Sequence, residues 1–514
     1  MSTPVTANAS ASASGEGLGL VATGLALATF MQVLDTTIAN VSIPTIAGDL
    51  GVSIEQGTWV ITSFAVANAI SLPLTGRLMQ RFGVVKVFTA SVALFTLASL
   101  LCGLAWSLPM LVVFRVFQGL VSGPMIPGSQ ALLLLIFPPS KKALALTIWS
   151  TTTLVAPICG PILGGWISDN YTWPWIFLIN VPVGIFCASV CAAGLRHRET
   201  PTQKAPIDTI GFVLLVLWVG ALQLMLDTGK DKDWFSSPII VVEALIALVG
   251  FIFFIIWELG EKHPIVDLSL FKLRNFTLGL IPFSVGYGIF FGAVLLLPLW
   301  LQNWLGYTAT WAGLVAAPSG VVAVILAAAF GRHFGRFDAR WLATIGFVSF
   351  GVSYLMRAAL PPDASFAWFV LPGLVQGVGM CVFFVAMINI MLEGVAPRDI
   401  PAASGLSNFV RITAGAFAAS IVTTFWDRHA AFHQAHLAEV TTAWDPRMQH
   451  ALETLQSQGF TELQSLAALT QTLRSQAYFL SAIDYFWISG VLTFLFIGFV
   501  WLTRRPHGGH AAAE

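Results

Sequence analysis

The chain has 514 residues, of which 56% are apolar and only 10% are charged, and its formal net charge is zero. A soluble domain carries about 25% charged residues, so this composition excludes an ordinary soluble protein and indicates an all-α protein with many membrane spans. The zero net charge gives no support to a nucleic-acid-binding surface. The five cysteines all lie in apolar segments, and a disulfide framework is therefore not expected.

The N-terminal stretch 1–17 is rich in serine and alanine and has no lysine or arginine. Because a signal peptide begins with a basic region, this stretch is predicted to be a disordered cytoplasmic tail. A membrane-spanning helix needs about 20 mainly apolar residues. On that criterion the sequence predicts fourteen spans, with the bounds 18–43, 56–75, 86–106, 108–136, 143–168, 175–195, 207–226, 238–257, 276–300, 309–330, 341–360, 366–392, 402–426 and 479–502.

Lysine and arginine concentrate in the loops on one side of these spans. If the N-terminus is inside, the outer side receives only a few of them: Lys230, Lys232, Arg428, Arg447 and Arg474, with Arg357 near an outer boundary. Since cytoplasmic loops carry the excess of basic residues, both termini are predicted to be cytoplasmic. The residues after the last span, 503–514, then form a second cytoplasmic tail.

The first span contains a carboxylate, Asp35, well inside its apolar stretch. A charged side chain at the centre of a bilayer costs about 2.5–3.5 kcal/mol on insertion scales, so it is rarely present without a task. On a helix, Gln32, Asp35, Thr36 and Asn40 fall on one polar stripe. The stripe predicts an acid that handles protons or substrate. The alternative is a carboxyl that only forms a hydrogen bond with a neighbouring helix.

The fourth span contains a buried cation, Arg115, with Gln118 and Ser122 on the same helix face. At about 1.5 Å per residue, Asp35 and Arg115 lie about 12 Å and about 10 Å from the outer ends of their spans. The matched depths predict that the two side chains meet and that Arg115 favours the ionised form of Asp35. The alternative is that Arg115 snorkels to the outer boundary.

A basic loop at 76–86 follows the second span, and tight turns are predicted at Gly76 and Gly83. A weaker copy at 331–340 follows the tenth span, and such an echo indicates two related halves. In a scheme of six plus six spans, the seventh and eighth spans are then an inserted pair.

Two prolines and three glycines crowd the fifth span: Pro157, Gly160, Pro161, Gly164 and Gly165. Small residues let helix backbones approach closely, and prolines bend a membrane helix. This pattern predicts a bendable helix with a thin face that takes part in conformational change, or alternatively a plain packing motif.

The outer segment at 427–478 is polar and much longer than the other outer loops. Its pattern predicts two helical arms, at 428–442 and 447–475. The two interpretations are a solvated helical hairpin and a docking surface for a periplasmic partner.

Arg411 lies in the middle of the thirteenth span, with Ser404 and Asn408 on its face and no obvious acidic partner at its depth. It is predicted to act in a cavity or in conformational coupling, and the alternative is a role in helix pairing. Asp227 and Asp484 lie near predicted boundaries, where the sequence does not assign them a role.

Three histidines of the outer segment, His429, His433 and His436, have a helical spacing that would suit metal ligands. No cysteine joins them, so a solvated helix face is predicted and no metal site is expected. The sequence has no Gly-x-x-x-x-Gly-Lys-Ser/Thr loop, which argues against an ATP-driven pump.

The features above resemble the major facilitator superfamily, and within it the fourteen-span drug:proton antiporters. Four segments carry the resemblance: the first-helix motif 34–44, the fourth-helix arginine motif 115–119, the fifth-helix antiporter motif 156–165 and the segment 173–184. Gln80 departs from the superfamily's pattern, which usually has aspartate in that loop. A charge relay through the loop is therefore not expected.

Three further segments, 56–64, 264–271 and 306–313, resemble the inner-membrane transporters of tripartite multidrug pumps. The resemblance implies the major facilitator fold, with two six-helix bundles plus two inserted helices. It divides the chain into an N-terminal bundle, an inserted pair and a C-terminal bundle, at 18–195, 207–257 and 276–502.

The resemblance also implies export of hydrophobic drugs from the inner membrane, driven by proton entry and without a cofactor. Asp35 and Arg115 are the predicted proton-coupling residues. The predicted substrate-binding residues are polar groups of both halves: Gln32, Thr36, Asn40, Gln118, Ser122, Asn408 and Arg411. The implied partners are a periplasmic adaptor of the EmrA type and an outer-membrane channel of the TolC type. Two alternatives stay open, an exporter of one physiological metabolite and a membrane scaffold or sensor that transports nothing.

Overall fold

The computed structural model describes residues 15–202, 208–361, 364–396, 399–440 and 445–505, so most of the two predicted tails lies outside it. Within these ranges the regular structure is helical. The α-helices are α1 Gly15–Asp49, α2 Ile54–Gly57, α3 Trp59–Phe82, α4 Val84–Gly103, α5 Leu108–Ser122, α6 Met125–Ile136, α7 Pro139–Asn170, α8 Trp175–Leu178, α9 Asn180–Leu195, α10 Thr209–Thr228, α11 Pro238–Gly260, α12 Arg274–Leu305, α13 Ala309–Phe330, α14 Ala339–Ala358, α15 Phe366–Met391, α16 Ile400–Val440, α17 Pro446–Ser457 and α18 Glu462–Trp501.

Thirteen segments of the described chain are helical, long and apolar enough to cross a membrane. A fourteenth is added when the two halves of α7, Leu144–Pro157 and Ile162–Ser168, are counted as one span with a bend of 45°. The predicted all-α membrane fold with fourteen spans is therefore confirmed. The bend falls in the segment whose prolines and glycines predict a bendable helix.

Some predicted spans consist of two helices. The fourth is divided into α5 and α6 at Gly123 and Pro124. A side chain at Gly123 would place its Cβ 2.4 Å from the Ser71 hydroxyl of α3, so the absence of a side chain lets the helices approach. The proline that follows lacks a backbone N–H, which accounts for the interruption at this point.

The outer segment differs from its prediction. Its first arm is the uninterrupted continuation of α16, which runs from Ile400 to Val440. The prediction of one helix at 447–475 is wrong, because α17 and α18 are separated by a turn at Gly459 with a φ of 96°. A capping box of Thr461 and Gln464 then starts α18 by satisfying backbone N–H groups that have no partner within the helix.

The predicted inserted pair, α10 and α11, pack against each other, and α10 also packs against α3 and α16. The Trp218 ring of α10 makes edge contacts with Phe251 of α11 and Phe409 of α16, with centroids 5.0 Å and 5.9 Å apart. The inserted pair is thus anchored on one helix from each half of the chain, beside the place where α3 and α16 meet.

The outward face of α11 is apolar, and this helix has a mean hydropathy of 3.1. Its exposed side chains include Leu245, Leu248, Ile252, Phe253 and Ile256. An exposed apolar surface of this extent is stable when lipid covers it. The α11 helix therefore forms part of the lipid-facing perimeter, while α10 faces the interior.

Candidate functional site

Asp35 on α1 and Arg115 on α5 form an ion pair in which the Arg115 Nη1 donates to Asp35 Oδ2 at 2.5 Å. Both side chains are completely buried. The contact predicted from their matched depths is confirmed, and Arg115 does not snorkel to the boundary. Removing one member of a buried pair leaves an uncompensated charge, so each residue strongly constrains the other.

Two amides complete the surroundings of the Asp35 carboxylate. Its Oδ1 accepts from Gln118 Nε2 at 3.2 Å and from Asn180 Nδ2 at 2.9 Å, and Asn180 also donates to the Ser99 hydroxyl at 3.0 Å. Sequence analysis missed Asn180 and Ser99. The available signal for Asn180 was a polar amide in an apolar stretch, inside the segment 173–184 that carries the family resemblance.

Arg115 makes further contacts besides its ion pair with Asp35. Its Nε donates to the Val60 carbonyl at 2.9 Å, and its guanidinium lies 4.3 Å from the centroid of the Phe64 ring. Its Nη2 is buried and has no hydrogen-bond partner among the described residues. Since an unpaired buried donor is costly, this nitrogen is available for a further acceptor.

A central cavity of ≈ 230 Å³ lies beside Arg115, bounded by α1, α3, α5, α6, α10, α12 and α16. These helices come from both predicted bundles and from the inserted pair. Its polar lining includes Gln32, Thr36, Asn68, Arg115, Asp227 and Arg411. Pockets that enclose drug-sized ligands have volumes of about 300–1,000 Å³, so such a ligand requires the cavity to widen.

The chain thus combines fourteen candidate spans, a buried acid–base pair and a cavity bounded by helices of both halves. A family model described as Major Facilitator Superfamily matches residues 25–419. The chain belongs to the major facilitator superfamily. The predicted fold and the predicted family are both confirmed by this match.

Two relatives show to which part of the superfamily this chain is most similar. The chain is 49% identical over 485 residues to the multidrug export protein EmrB of Escherichia coli, covering 94% of this chain and 95% of that protein. It is 47% identical over 494 residues to the fatty acid resistance protein FarB of Neisseria gonorrhoeae, covering 95% and 97%. The resemblance to inner-membrane multidrug exporters is confirmed, and the chain is a multi-pass transporter of the inner membrane rather than an enzyme.

A solved structure supports the same fold. The human organic anion transporter MFSD10 (TETRAN) matches with a TM-score of 0.54 and 14% sequence identity, over 93% of this chain and 98% of that one. At this identity the likeness concerns the path of the helices alone.

Asp35 does not line the central cavity, although Gln32 and Thr36 of the same predicted polar stripe do. On an ideal helix, Asp35 is rotated by about 60° from Gln32 and about 100° from Thr36, which both line the cavity. This rotation turns Asp35 toward α5 and α9, where Arg115 and Asn180 hold it. Arg115 therefore separates the acid from the cavity.

The predicted substrate-binding residues fall into two groups. Gln32, Thr36 and Arg411 line the central cavity. Gln118 and Ser122 lie behind its wall, where Gln118 holds Asp35 and Ser122 accepts from the Asn68 amide at 2.6 Å. Asn408 also lies behind the wall, and the side chain of Asn40 falls outside the described part of the structure.

Arg411 has no acidic partner within 4.0 Å among the described residues, as the sequence indicated. Its Nη2 donates to Asn408 Oδ1 at 2.9 Å, and its guanidinium lies 4.4 Å from the Tyr287 ring centroid. Asn408 in turn donates to Gln130 Oε1 of α6 at 2.7 Å. Arg411 thus combines an unpaired charge at the cavity with a hydrogen-bonded link between the two halves of the transporter.

The tight turn predicted at Gly76 is wrong, because Gly76 lies inside α3, whereas Gly83 directly follows the end of that helix. A Cβ at Gly76 would lie 2.7 Å from Ala402 Cα, so this glycine permits contact between α3 and α16. Gly83 has a φ of 94°, in the region that favours glycine. Beside Gly83, the Glu199 carboxylate accepts from the backbone N–H groups of Val85 and Lys86 at 3.0 Å each. This carboxylate caps α4, a role that sequence analysis missed.

The antiporter motif of the fifth span packs against α1. Added Cβ atoms at Gly160 and Gly164 would lie 2.1 Å from Thr37 Oγ1 and 2.7 Å from the Ile38 carbonyl. The predicted thin face is therefore the face that crosses α1 close to Asp35. Pro157 lines a separate small pocket, and the side chain of Pro161 lies outside the described part of the chain.

A third buried arginine, Arg357 of α14, was placed near an outer boundary by its position in the sequence. It is only 2% exposed, and its Nη2 donates to Gln376 Oε1 at 2.6 Å. Tyr354 and Phe486 flank the guanidinium, with centroids 5.9 Å and 5.6 Å away. Sequence position gave its depth but not its burial, which depends on packing by α15 and α18.

The three histidines of the predicted solvated face differ in exposure: the side chains of His429, His433 and His436 are 40%, 20% and 70% exposed. His429 Nδ1 and His433 Nε2 lie 3.3 Å and 2.7 Å from Asp484 Oδ2 of α18. His436 instead faces Glu439 on its own helix and is exposed. The first two histidines therefore join α16 to α18 at the start of the part of α16 that follows residue 426.

Proposed function

We propose that this chain is a proton-driven antiporter that exports hydrophobic compounds from the inner membrane. The supporting observation is the buried Asp35–Arg115 pair, whose arginine is also a wall residue of the central cavity. A carboxyl exchanges protons reversibly, whereas an arginine stays charged in proteins. The pair therefore joins a proton site to a substrate site. The proton gradient supplies the energy for export, and no cofactor is required.

The coupling operates through the free donor of Arg115. While Asp35 is ionised, the carboxylate holds Nη1 and balances the buried charge. Protonation of Asp35 removes that balance and leaves a buried cation, which is a costly state. Acceptors in the cavity, which Arg115 lines, would then stabilise the guanidinium. Its Nη2 can donate to them, because it has no partner among the described residues. Proton uptake at Asp35 thereby alters the wall that a substrate contacts.

Alternating access requires that contacts between the two halves break and form again. Two such contacts are the Asn408–Gln130 hydrogen bond and the approach of Gly76 to Ala402. Both join α16 to helices of the first half. Because Asn408 also holds Arg411, movement of α16 changes the cavity and the contact between halves together.

The test is transport by the purified chain in proteoliposomes. With an imposed pH gradient, we expect uptake of hydrophobic dyes and drugs against their concentration gradients. Collapse of the pH gradient with the potassium/proton exchanger nigericin should stop this uptake. Protein-free liposomes are the control for passive partitioning. Uptake that persists without a gradient contradicts antiport, and no transport of any compound on a chemically varied panel favours a scaffold or sensor.

One observation favours a narrower second function, the export of fatty acids. The relative FarB is a fatty acid resistance protein, and here Arg411 offers the cavity a guanidinium without an acidic partner among the described residues. Carboxylates bind guanidinium groups well. Selective transport of long-chain fatty acids, with no other compound of the panel carried, would favour this function over drug export.

We further propose that the outer extension of α16 and α18, together with α17, binds a periplasmic adaptor of the EmrA type. That adaptor would connect the transporter to an outer-membrane channel of the TolC type. At about 1.5 Å per residue, the part of α16 after residue 426 extends by about 20 Å. Near the tip, Phe460, Leu463 and Leu466 are 43%, 78% and 40% exposed. Exposed apolar side chains on a helical extension favour docking of a partner helix.

We expect the triple variant Phe460→Ser, Leu463→Ser and Leu466→Ser to lose adaptor binding while it keeps transport in proteoliposomes. The reason is that these side chains lie far along the chain from the cavity and supply apolar area to a partner. The measurement is co-purification of the adaptor and the transporter, together with drug resistance of cells that carry both.

Exposed polar residues of the same extension provide the matched control. A variant with Glu453→Ser, Gln456→Ser and Gln471→Ser should bind the adaptor normally, since all three side chains are exposed and polar. Undiminished adaptor yield with the apolar triple variant would refute the docking surface. Loss of proteoliposome transport by that variant would instead place the extension on the substrate path.

A further inference from the structure

We propose that Asp227 of the inserted helix pair binds the positively charged group of lipophilic cations in the central cavity. This inference rests on the proposed export of hydrophobic compounds and adds a substrate class to it. It also gives the inserted pair a part in recognition, since α10 supplies the carboxyl while α11 faces lipid.

Asp227 lies in the cavity wall, at the end of α10. It lies in the last turn of α10, which packs against α3 and α16, and it lines the cavity together with Gln223 of the same helix. Thr62 of α3 also contacts the carboxyl. A helix outside the six-plus-six arrangement thus places an acid where helices of both halves meet.

The two oxygens of the Asp227 carboxyl differ in their partners. Gln223 Nε2 donates to Asp227 Oδ1 at 3.0 Å, and the Thr62 side chain interacts with the carboxyl, whereas Oδ2 is buried and accepts no hydrogen bond of 3.5 Å or less from the described residues. Lys230, the nearest basic residue along the chain, pairs instead with Asp427 at 2.8 Å. Asp227 therefore differs from Asp35, whose charge Arg115 balances.

An ionisable side chain within a membrane protein is rare and is usually paired or functional. No basic side chain of the described residues lies within 4.0 Å of Asp227, although Arg115 and Arg411 line the same cavity, so a ligand cation can balance the charge of this carboxyl. The rest of the wall suits the apolar body of such a ligand. Phe291 lines the cavity and is stacked on Tyr287 with centroids 5.8 Å apart. Because the Arg411 guanidinium already lies 4.4 Å from the Tyr287 centroid, Phe291 is the ring of this pair that can attract a ligand cation.

The test compares a cationic probe with an uncharged probe of similar shape. Tetraphenylphosphonium carries a positive charge, whereas triphenylphosphine oxide is neutral. We expect Asp227→Asn to weaken tetraphenylphosphonium binding by at least about tenfold, because the variant loses the attraction between the carboxylate and the positive charge of the ligand. Binding of triphenylphosphine oxide should not change, and this result also shows that the variant is folded. Calorimetry on the full chain in nanodiscs measures both affinities.

Two further variants sharpen the result. Asp227→Glu keeps a carboxyl and should retain most of the affinity for the cation. Glu243→Gln removes a carboxyl from α11, outside the cavity lining, and should leave both affinities unchanged. The pair of variants separates a local carboxyl from a general effect of negative charge in the inserted helices.

Equal loss of both probes in Asp227→Asn, or unchanged affinity for tetraphenylphosphonium, would overturn the inference. Failure of the wild-type chain to bind the cation would overturn it as well. These outcomes differ from failure of the proposed antiport function, in which the wild-type chain transports no hydrophobic compound of any charge in response to a pH gradient.

Discussion

Replacement of Asp35 by asparagine is expected to abolish proton-driven export. Asparagine keeps the size of the side chain and an acceptor for Arg115, but it cannot take up and release a proton. The wild-type chain in detergent should release protons when a substrate binds, and Asp35→Asn should release none. In proteoliposomes the uptake that depends on a pH gradient should fall to the level of protein-free liposomes.

The Asp35→Glu variant is the matched control, because it keeps an exchangeable carboxyl and should retain part of the gradient-driven uptake. Substrate affinity of Asp35→Asn should remain measurable, since Asp35 lies behind Arg115 and not in the cavity wall. Full gradient-driven export by Asp35→Asn would assign the proton to another acid of the chain.

The second large effect concerns the stability of the buried pair. Removal of one partner of a buried ion pair costs about 3–5 kcal/mol, because it leaves an uncompensated charge. Asp35→Asn should be the more harmful single change, since the remaining guanidinium cannot lose its proton. Arg115→Gln leaves a carboxyl that becomes neutral by taking up a proton, so its loss of thermal stability should be smaller.

The double variant Asp35→Asn with Arg115→Gln has no buried charge at this place, and it should regain much of the lost stability. Thermal denaturation of the four proteins in one detergent measures this, as a double-mutant cycle. Losses that simply add in the double variant would show that the two charges do not stabilise each other. A stable double variant that still fails to couple protons would separate the structural and the coupling roles of the pair.

The acid and the cavity occupy separate places in the structure. Asp35 is enclosed by α1, α5 and α9 of the first half, whereas the cavity also contacts α10, α12 and α16. Arg115 contacts both regions. In the proposed antiport mechanism, this shared arginine transmits protonation of Asp35 to the cavity wall.

Sequence reasoning was most successful where the membrane restricts the possible structures. Backbone groups in lipid must be hydrogen-bonded within their own helix, so apolar runs of sufficient length predict spans well. It also found Asp35 and Arg115, because each carries a charge in an apolar run, and helical rise predicted that they meet. The polar but uncharged Asn180, which holds the same carboxylate, stood out less.

The sequence by itself determined the fourteen spans, the family and the buried charges, since these depend on hydrophobicity and on local spacing along one helix. Only the tertiary structure decided which polar residues line the cavity. In the structure, Asp35 lies behind Arg115, Asp227 of the inserted pair lines the cavity wall, and Arg357 is buried. The physical reason is that rotation of a helix about its axis, and the neighbour it then faces, are fixed by packing between helices far apart in the chain.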